Sequence, residues 1–531
     1  KPSTDAEWAD LSRLLNGGAD NPLLTALTAQ VRAAGCSAVL VERNYIDRDF
    51  SAAYSSFYAS LFRPYRKHCL RAHFFRDDIS GVMILPDAAA QMEALERSSG
   101  SYLGNVVLRP LTHAPVSSAY IAADVLSGKT VEVGVRSTFS FHLMGVELRV
   151  DAMPLAQQDT RTGACAQATM WMAGRHFHNR YRAPWFSMPD ITSVALNPAD
   201  QHISRSLPAG SDFLTADNMV RALRAMGRHP VMYAPDVFTG TPTWAPVNPK
   251  QVVTRYVDSG IPVILGVQSA GSGIGHAVVA VGVERGAPAG PLPDWSTSAE
   301  FVSHFLVNDD QRGAYCRMPV SGGPSPDYEF CFETDIKFLI VPLPEKVFMT
   351  AEVAELIAVD YAKTVAIQRS ALATQALGPG VAWDVDAPFY DALLNGKLVA
   401  RTYLTYGWKY KARALRNGSS PRPTSELMRT EFPRYVWVTE FSDPAMTAEN
   451  DPCNRLIRGH VVVDATGSRY WDSVLVVDVP GLSLLWHFDP EQPAAPVTMT
   501  FRADADDRSY YPKIRGSIDF QLCTVPAAGS A

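Results

Sequence analysis

No pair of cysteines at C-x-x-C spacing occurs in this chain of 531 residues. The seven cysteines, at positions 36, 69, 165, 316, 331, 453 and 523, are odd in number and widely spread. That pattern speaks against a disulfide framework or a structural zinc site and for a reducing, cytoplasmic setting. No run of about 18 apolar residues is present, so no membrane span is expected. The opening Lys-Pro-Ser-Thr-Asp-Ala-Glu-Trp lacks the pattern of a signal peptide. An excess of positive charge is also missing. Lys and Arg number 48 against 54 Asp and Glu, a net charge of -6, which gives no electrostatic case for nucleic acid or an anionic membrane as partner. The glycine run at 271–275 is not followed by Gly-Lys-Ser/Thr, so it is no phosphate loop, and Ser272 lacks the G-x-S-x-G frame of a serine elbow. No internal repeat is found.

What is present is the composition of an ordinary globular protein, 47% apolar and 19% charged, long enough for two to four domains with sizeable cores. Residues 1–149 read as an α/β region. Helical patterns run over 6–15, 23–34 and 52–62. Strand patterns run over 37–42, 70–75, 81–85, 104–109, 118–125, 130–135 and 145–150. The aromatics Tyr54, Phe57, Tyr58 and Phe62 fall near helical spacing without interleaved Lys or Arg, so they form a packing face rather than a base-stacking platform. His68, Cys69 and His73 lie on both faces of a strand and have no partner pair nearby, which argues against a metal cluster.

The most informative stretch runs from Gln157 and Gln158 through Thr160-Arg-Thr-Gly-Ala to Cys165 and then Ala-Gln-Ala-Thr-Met-Trp-Met172. A loop of small and polar residues leads straight into an apolar helix with the cysteine at the junction. Unpaired N–H groups and the partial positive charge of a helix N-terminus favour a thiolate there. An upstream glutamine amide supplies a candidate oxyanion donor. The competing reading is a buried structural cysteine at the start of a core helix.

Downstream, 260–267 reads as a buried strand, His276-Ala-Val-Val-Ala-Val-Gly-Val283 as a second strand opening with histidine, and 304–310 as a third that ends Asn308-Asp309-Asp310. If the last two form an antiparallel pair, His276 faces the Asn308–Asp309 end. A cysteine at a helix start, a histidine and an amide or carboxylate to orient it are the parts of a Cys-His-Asn/Asp site. Alternation lets only one of Asn308 and Asp309 face the ring.

These segments resemble papain-like cysteine peptidases, most closely the C39-like branch: the Gln-loop-Cys-helix segment, the G-I-P-V-I strand, the G-H-A-V-V-A-V-G strand and the V-N-D-D strand end, over roughly residues 150–320. The resemblance implies an α+β fold with a helical lobe and an antiparallel β lobe. It implies Cys165 as nucleophile, His276 as base, Asp309 (with Asn308 as the alternative) as orienter and Gln158 as oxyanion donor. It implies a protein or peptide substrate and no cofactor or metal. The chain departs from the branch in the alanines flanking Cys165, in the seven positions from Gln158 to Cys165 where six are usual, and in the long loop between the His276 and Asp309 strands. The expected division is 1–149, 150–345 as the catalytic domain, and 346–531 as a C-terminal α+β region. The expected activity is hydrolysis of a peptide or isopeptide bond. Acyl transfer by the same thiol, or a non-catalytic cleft kept for binding, are the alternatives, since one fold supports all three.

Elsewhere, His176 and His178 sit two apart on a helix and diverge. The stretch 184–210 reads as a polar flap, 215–227 and 249–259 as capped helices, 328–332 and 337–341 as strands, and 351–373 as a long helix. Lys409, Lys411, Arg413 and Arg416 form a solvated basic face. His460 opens an apolar strand as His276 does, but no cysteine at a helix start lies near it in sequence.

Overall fold

In the computed structural model of the chain, the described residues exclude 1, 3, 127, 129, 160–163, 197–213, 238–241, 271–274, 289, 381–385, 417–423, 449–455, 468–472, 487–496, 502–510 and 513–531. The described residues are mixed helix and strand, with antiparallel strand pairing throughout the registered sheets. None of the described helices is long and apolar enough to cross a membrane. The chain divides into two compact units, one of Lys1–Pro242, Pro262–Gly282 and His304–Leu343, the other of Thr243–Ile261, Val283–Ser303 and Pro344–Ala531.

The first unit opens with two helices that start where side-chain oxygens cap them. Asp5–Leu15 begins at a Thr4–Glu7 capping box and Pro22–Ala33 at Asn21 with proline in its first turn. A four-stranded antiparallel meander follows, Ala38–Tyr45, Cys69–Phe75, Tyr102–Leu108 and Val116–Ile121. The hairpin Ser137–Leu143/Val146–Ala152 buries every second residue, the period-2 signature of a half-covered strand pair. The larger sheet runs in the order Gly313–Pro319, Val302–Asp309, His276–Arg285, Val263–Val267, Ile336–Pro344, Arg228–Tyr233. Val131–Glu132 pairs with the His276 strand. Val263–Val267 is buried throughout, so its unbroken apolar run belongs to a central strand. Gly282 lets Val131–Glu132 approach, because a Cβ there would stand 2.5 Å from the Glu132 carbonyl oxygen.

The second unit is a six-stranded antiparallel sheet, Val399–Tyr406, Tyr435–Ser442, Gly459–Asp464, Val474–Val479, Leu482–Trp486 and Val497–Phe501 in that order. The long helix Ala351–Leu377 packs on it, and Pro249–Asp258 packs against its first strand. Buried charges are paired there. Arg285 donates to both Asp258 oxygens at 2.8 Å, Arg401 joins Asp258 to Glu440, and the Tyr403 hydroxyl completes Glu440 at 3.0 Å.

This division differs from the boundaries 1–149, 150–345 and 346–531. Residues 1–149 are not a separate body. Ala119 bridges Leu155, Val135 donates to the Val281 carbonyl, and the Tyr315 hydroxyl donates to Ile121 while accepting from Met153. The helix Pro249–Asp258, with all of Val252–Asp258 buried, groups with the second unit because its apolar side is covered there.

Several local expectations also change. Residues 81–85 form a 3-10 turn, Val82–Ile84, rather than a strand. The aromatic helix spans Arg48–Ser56, capped by Asp47, with a separate turn at Tyr58–Ser60. Apolar content outweighed capping in both readings. The strands read at 118–125 and 130–135 shorten to Val116–Ile121 and Val131–Glu132. Residues 328–332 close the tight Ser325–Tyr328 turn and lead into the short helix Phe332–Asp335 instead of forming a strand. The stretch 184–210 contains the helix Met188–Ala195, and its remainder from 197 onward lies outside the described residues.

Candidate active site

Cys165 is the first residue of the 17-residue helix Cys165–Tyr181 and is partly exposed. The alanine before it cannot cap. Instead the buried Gln167 side chain reaches back, its Oε1 accepting from the Ala164 N–H at 3.1 Å. Gln167 thus does the work that a Ser or Thr cap usually does, and the small flanking residues keep the sulfur uncovered. The helix is fixed from behind by Trp171, whose indole N–H donates to Asp49 at 2.8 Å, and by the Arg175–Asp49 pair. Thr169 donates to the Ala277 carbonyl at 2.8 Å, which docks the cysteine helix on the residue next to His276.

His276 opens its strand opposite Val267. Its Nε2 lies 3.1 Å from Asp309 Oδ1, and Cys165 lies near enough to the ring to favour its protonated form. With Nε2 committed to the carboxylate, Nδ1 is the nitrogen left for the thiol. Asp309 is fully buried and held on three more sides, by the Gln311 N–H at 2.8 Å, the Arg312 N–H at 3.3 Å and the Tyr328 hydroxyl at 2.8 Å. Phe330 stacks on the imidazole, centroids 5.9 Å apart and planes 18° from parallel, shielding the histidine–carboxylate pair from water.

Electrostatics follow from this cage. Burial opposes the imidazolium, but hydrogen bonds to Asp309 and Cys165 and the charges of Asp309 and Asp310 outweigh it, pushing His276 up to about 11. Burial alone would raise Asp309. Its bond to His276, the imidazolium charge and the Gln311 and Tyr328 donors instead hold it below the usual carboxylate range. The other thiols give the contrast. Burial pushes Cys36 up to about 11 and Cys69 to about 12, and raises Cys316 as well. Of the five described free cysteines, Cys165 is the one at a helix start beside His276.

Asn308 lies on the opposite side of its strand, as alternation requires. Its amide donates to the Met153 and Pro154 carbonyls at 3.3 and 3.0 Å and its oxygen accepts from the Tyr315 N–H at 2.9 Å. It ties the sheet to residues 153–154 and does not touch His276. Gln157 is likewise structural, its Oε1 accepting from Val116 N–H. Gln158 is half-buried, with its main chain beside Asp310, whose two buried carboxylate oxygens have no hydrogen-bond partner among the described residues. Residues 160–163, between it and the cysteine, lie outside the described residues.

Three participants were not legible in sequence: Asp310, Tyr328 and Phe330. Asp310 is fully buried, 3.6 Å from His276 Nε2, and desolvation raises its carboxyl to about 7 even though the imidazolium charge pulls the other way. Tyr328 and Phe330 alternate at i, i+2, the only sequence signal they carried. His276, Asp309 and Asp310 offer ligand atoms within 4.8 Å of one another, a set that could hold a cation. Binding one would cost Nε2 its carboxylate bond and Asp309 its donors, so the set fits a histidine–carboxylate pair better than a metal. His176 packs against Phe177 and Tyr181, His178 meets the Ala183 carbonyl, and His73 bridges Tyr102 and Glu42 while His68 is exposed. None of the four shares a ligand position with another. Compared with known proteins, the chain matches no family model, no curated protein and no solved structure.

Proposed function

We propose that the chain is a papain-like cysteine hydrolase that cleaves a peptide or isopeptide bond. The observation that carries this reading is the single imidazole held at 3.1 Å by a caged carboxylate, Asp309, and placed beside the helix-start thiol Cys165, which favours its charged form. With the proton already held by His276, Cys165 attacks the carbonyl carbon as a thiolate, and the C–S bond forms as the carbonyl electron pair moves onto oxygen. The tetrahedral oxyanion is stabilised by the Cys165 N–H at the helix start, with the Gln158 amide as second donor, a contribution of order 10²–10³ in rate for each donor. His276 then protonates the leaving amine and the C–N bond breaks. Water, deprotonated by His276, releases the acid and restores the thiol. Asp309 holds the tautomer and stabilises imidazolium through both steps. A helix carrying the nucleophile and an antiparallel sheet carrying base and orienter support the papain-like assignment. The reading carries with it a reducing, cytoplasmic setting, in which an active thiol persists.

The test is labelling of Cys165 by iodoacetamide and by peptidyl electrophiles at neutral pH, with mass spectrometry to locate the adduct. Fast, selective modification of Cys165 that His276→Ala slows by 10²-fold or more is expected. Uniform slow labelling of all thiols would remove the reading.

A further inference from the structure

A pocket of about 650 Å³ lies in the first unit, lined by none of the residues assigned to the active site. It is bounded by the loop carrying Arg66, Lys67 and His68, by Asn44 and by the turn around Arg109. Of its fourteen lining residues none is Asp or Glu, although the chain as a whole carries more acids than bases. Arg66, Lys67 and His68 are exposed, and among the described residues none of them has an ion-pair partner. Arg109 differs. It is buried, donating to the Ala114 and Gln157 carbonyls at 2.6 and 2.7 Å, with Asp159 4.0 Å away. It forms a fixed wall, and the unneutralised charge belongs to Arg66 and Lys67 at the mouth. Asn44 stands at a left-handed φ of 58° within a register shift of its strand against Cys69–Phe75. Such irregularities turn a strand edge outward and recur beside functional sites.

Two adjacent cations without a carboxylate repel one another, and a concave, low-dielectric wall strengthens the field they share. The volume falls in the range of small-molecule sites, well above what one small ion fills. We propose that this pocket binds a multiply charged anionic small molecule, a phosphorylated or polycarboxylated compound, with Arg66 and Lys67 as the principal contacts to its charged groups. Guanidinium offers a planar fork to such a group and ammonium a mobile point charge, so the pair accepts either oxyanion class.

The experiment uses the full chain and titration calorimetry with pyrophosphate in one arm, citrate in a second and acetate as the monoanion control. Binding of pyrophosphate or citrate is expected, weakening several-fold between about 50 and 200 mM salt because the contact is electrostatic. Whichever of the two binds tighter identifies the source. Arg66→Glu with Lys67→Glu should weaken it at least tenfold. Both side chains are exposed, so the fold is retained, and circular dichroism checks this. A matched charge reversal elsewhere, Arg97→Glu with Lys346→Glu, should leave it within twofold. Three outcomes overturn the proposal: no heat with either polyanion at low salt, binding that survives the Arg66/Lys67 reversal, or equal binding of acetate. Phe62 is fully exposed in the same loop. Capture of the chain by phosphatidylserine vesicles through Phe62, with no response to pyrophosphate or citrate, would likewise overturn it in favour of a surface contact.

Discussion

Two histidines open two apolar strands in nearly the same words, Gly275-His276-Ala-Val-Val and Gly459-His460-Val-Val-Val. Their surroundings are not alike. His276 meets a thiol on one side and a caged carboxylate on the other, at the end of its strand and partly exposed. His460 is 2% exposed, pairs across the sheet with Glu440 and Asp478, and its Nε2 meets the Tyr410 hydroxyl at 2.9 Å. The strand motif therefore says only that a histidine leads an apolar strand. What it does depends on the element brought against it. For His276 that is the start of the Cys165 helix, for His460 an aromatic helix face.

The largest expected effect is on the thiol. Cys165→Ala should abolish turnover of whatever amide the protein cleaves and leave the melting temperature nearly unchanged, because the sulfur is partly exposed and alanine is a good helix former. A variant that unfolds would instead assign Cys165 to the core. Cys69→Ala is the control: buried beside strand and aromatic neighbours, it should cost stability and spare activity.

Next comes the choice between neighbours. Asp309→Asn should lower kcat by about 10²–10⁴ with little change in KM, since the carboxylate acts most strongly once His276 is charged. Asn308→Ala should do the opposite, losing about 1–3 kcal/mol of stability from the unpaired Pro154 carbonyl and Tyr315 amide, with kcat nearly kept. Urea melts and steady-state rates on both variants decide this, and a reversed ranking would give the orienting role to Asn308.

The reason this choice stayed open in sequence is physical. Alternation says that 308 and 309 point apart but not which way, and the answer depends on register within the sheet. The capped helices at Pro22–Ala33, Ala216–Ala225 and Pro249–Asp258 were legible because their start signals are local. The cysteine at the helix start, the histidine at the strand start and the Asp309 strand end were legible as separate pieces. The cage was not. Tyr328 comes from a turn 19 residues from Asp309, Phe330 from the residues after it, and Asp310 is indistinguishable in sequence from a solvated turn residue. Domain limits failed for the same reason, since Pro249–Asp258 is amphipathic whichever sheet covers it.

A smaller effect separates the two histidines by pH. His276 sits at about 11 folded against about 6.5 unfolded, so the native state binds the extra proton between these values. The stabilisation from its charged form is complete below about pH 6.5 and is lost as pH rises through about 11. Wild-type stability should therefore fall between pH 7 and 10 more steeply than that of His276→Gln, which lacks the group. Parallel curves from urea melts at pH 7, 8.5 and 9.5 would mean that the imidazole is not held charged.

The smallest effect on the site is expected from His460. Among the described residues its ring meets the Tyr410 hydroxyl rather than Cys165, so His460→Phe should leave the iodoacetamide rate of Cys165 within twofold of wild type, where His276→Ala lowers it strongly. The cost falls on stability instead. Phenylalanine fills the space of the imidazole but removes the hydrogen bond that the ring makes with the Tyr410 hydroxyl, which lies in the core with Tyr403, Val438 and Val462. Losing that hydrogen bond costs about 0.5–1.5 kcal/mol. Tyr410→Phe removes that hydroxyl, so the double variant should be less destabilised than the sum of the two single ones, the sign of a direct pair. Additive losses would show that His460 and Tyr410 are held independently. A His460→Phe variant whose Cys165 labels as slowly as that of His276→Ala would break the comparison, because the second histidine would then be supporting the same thiol.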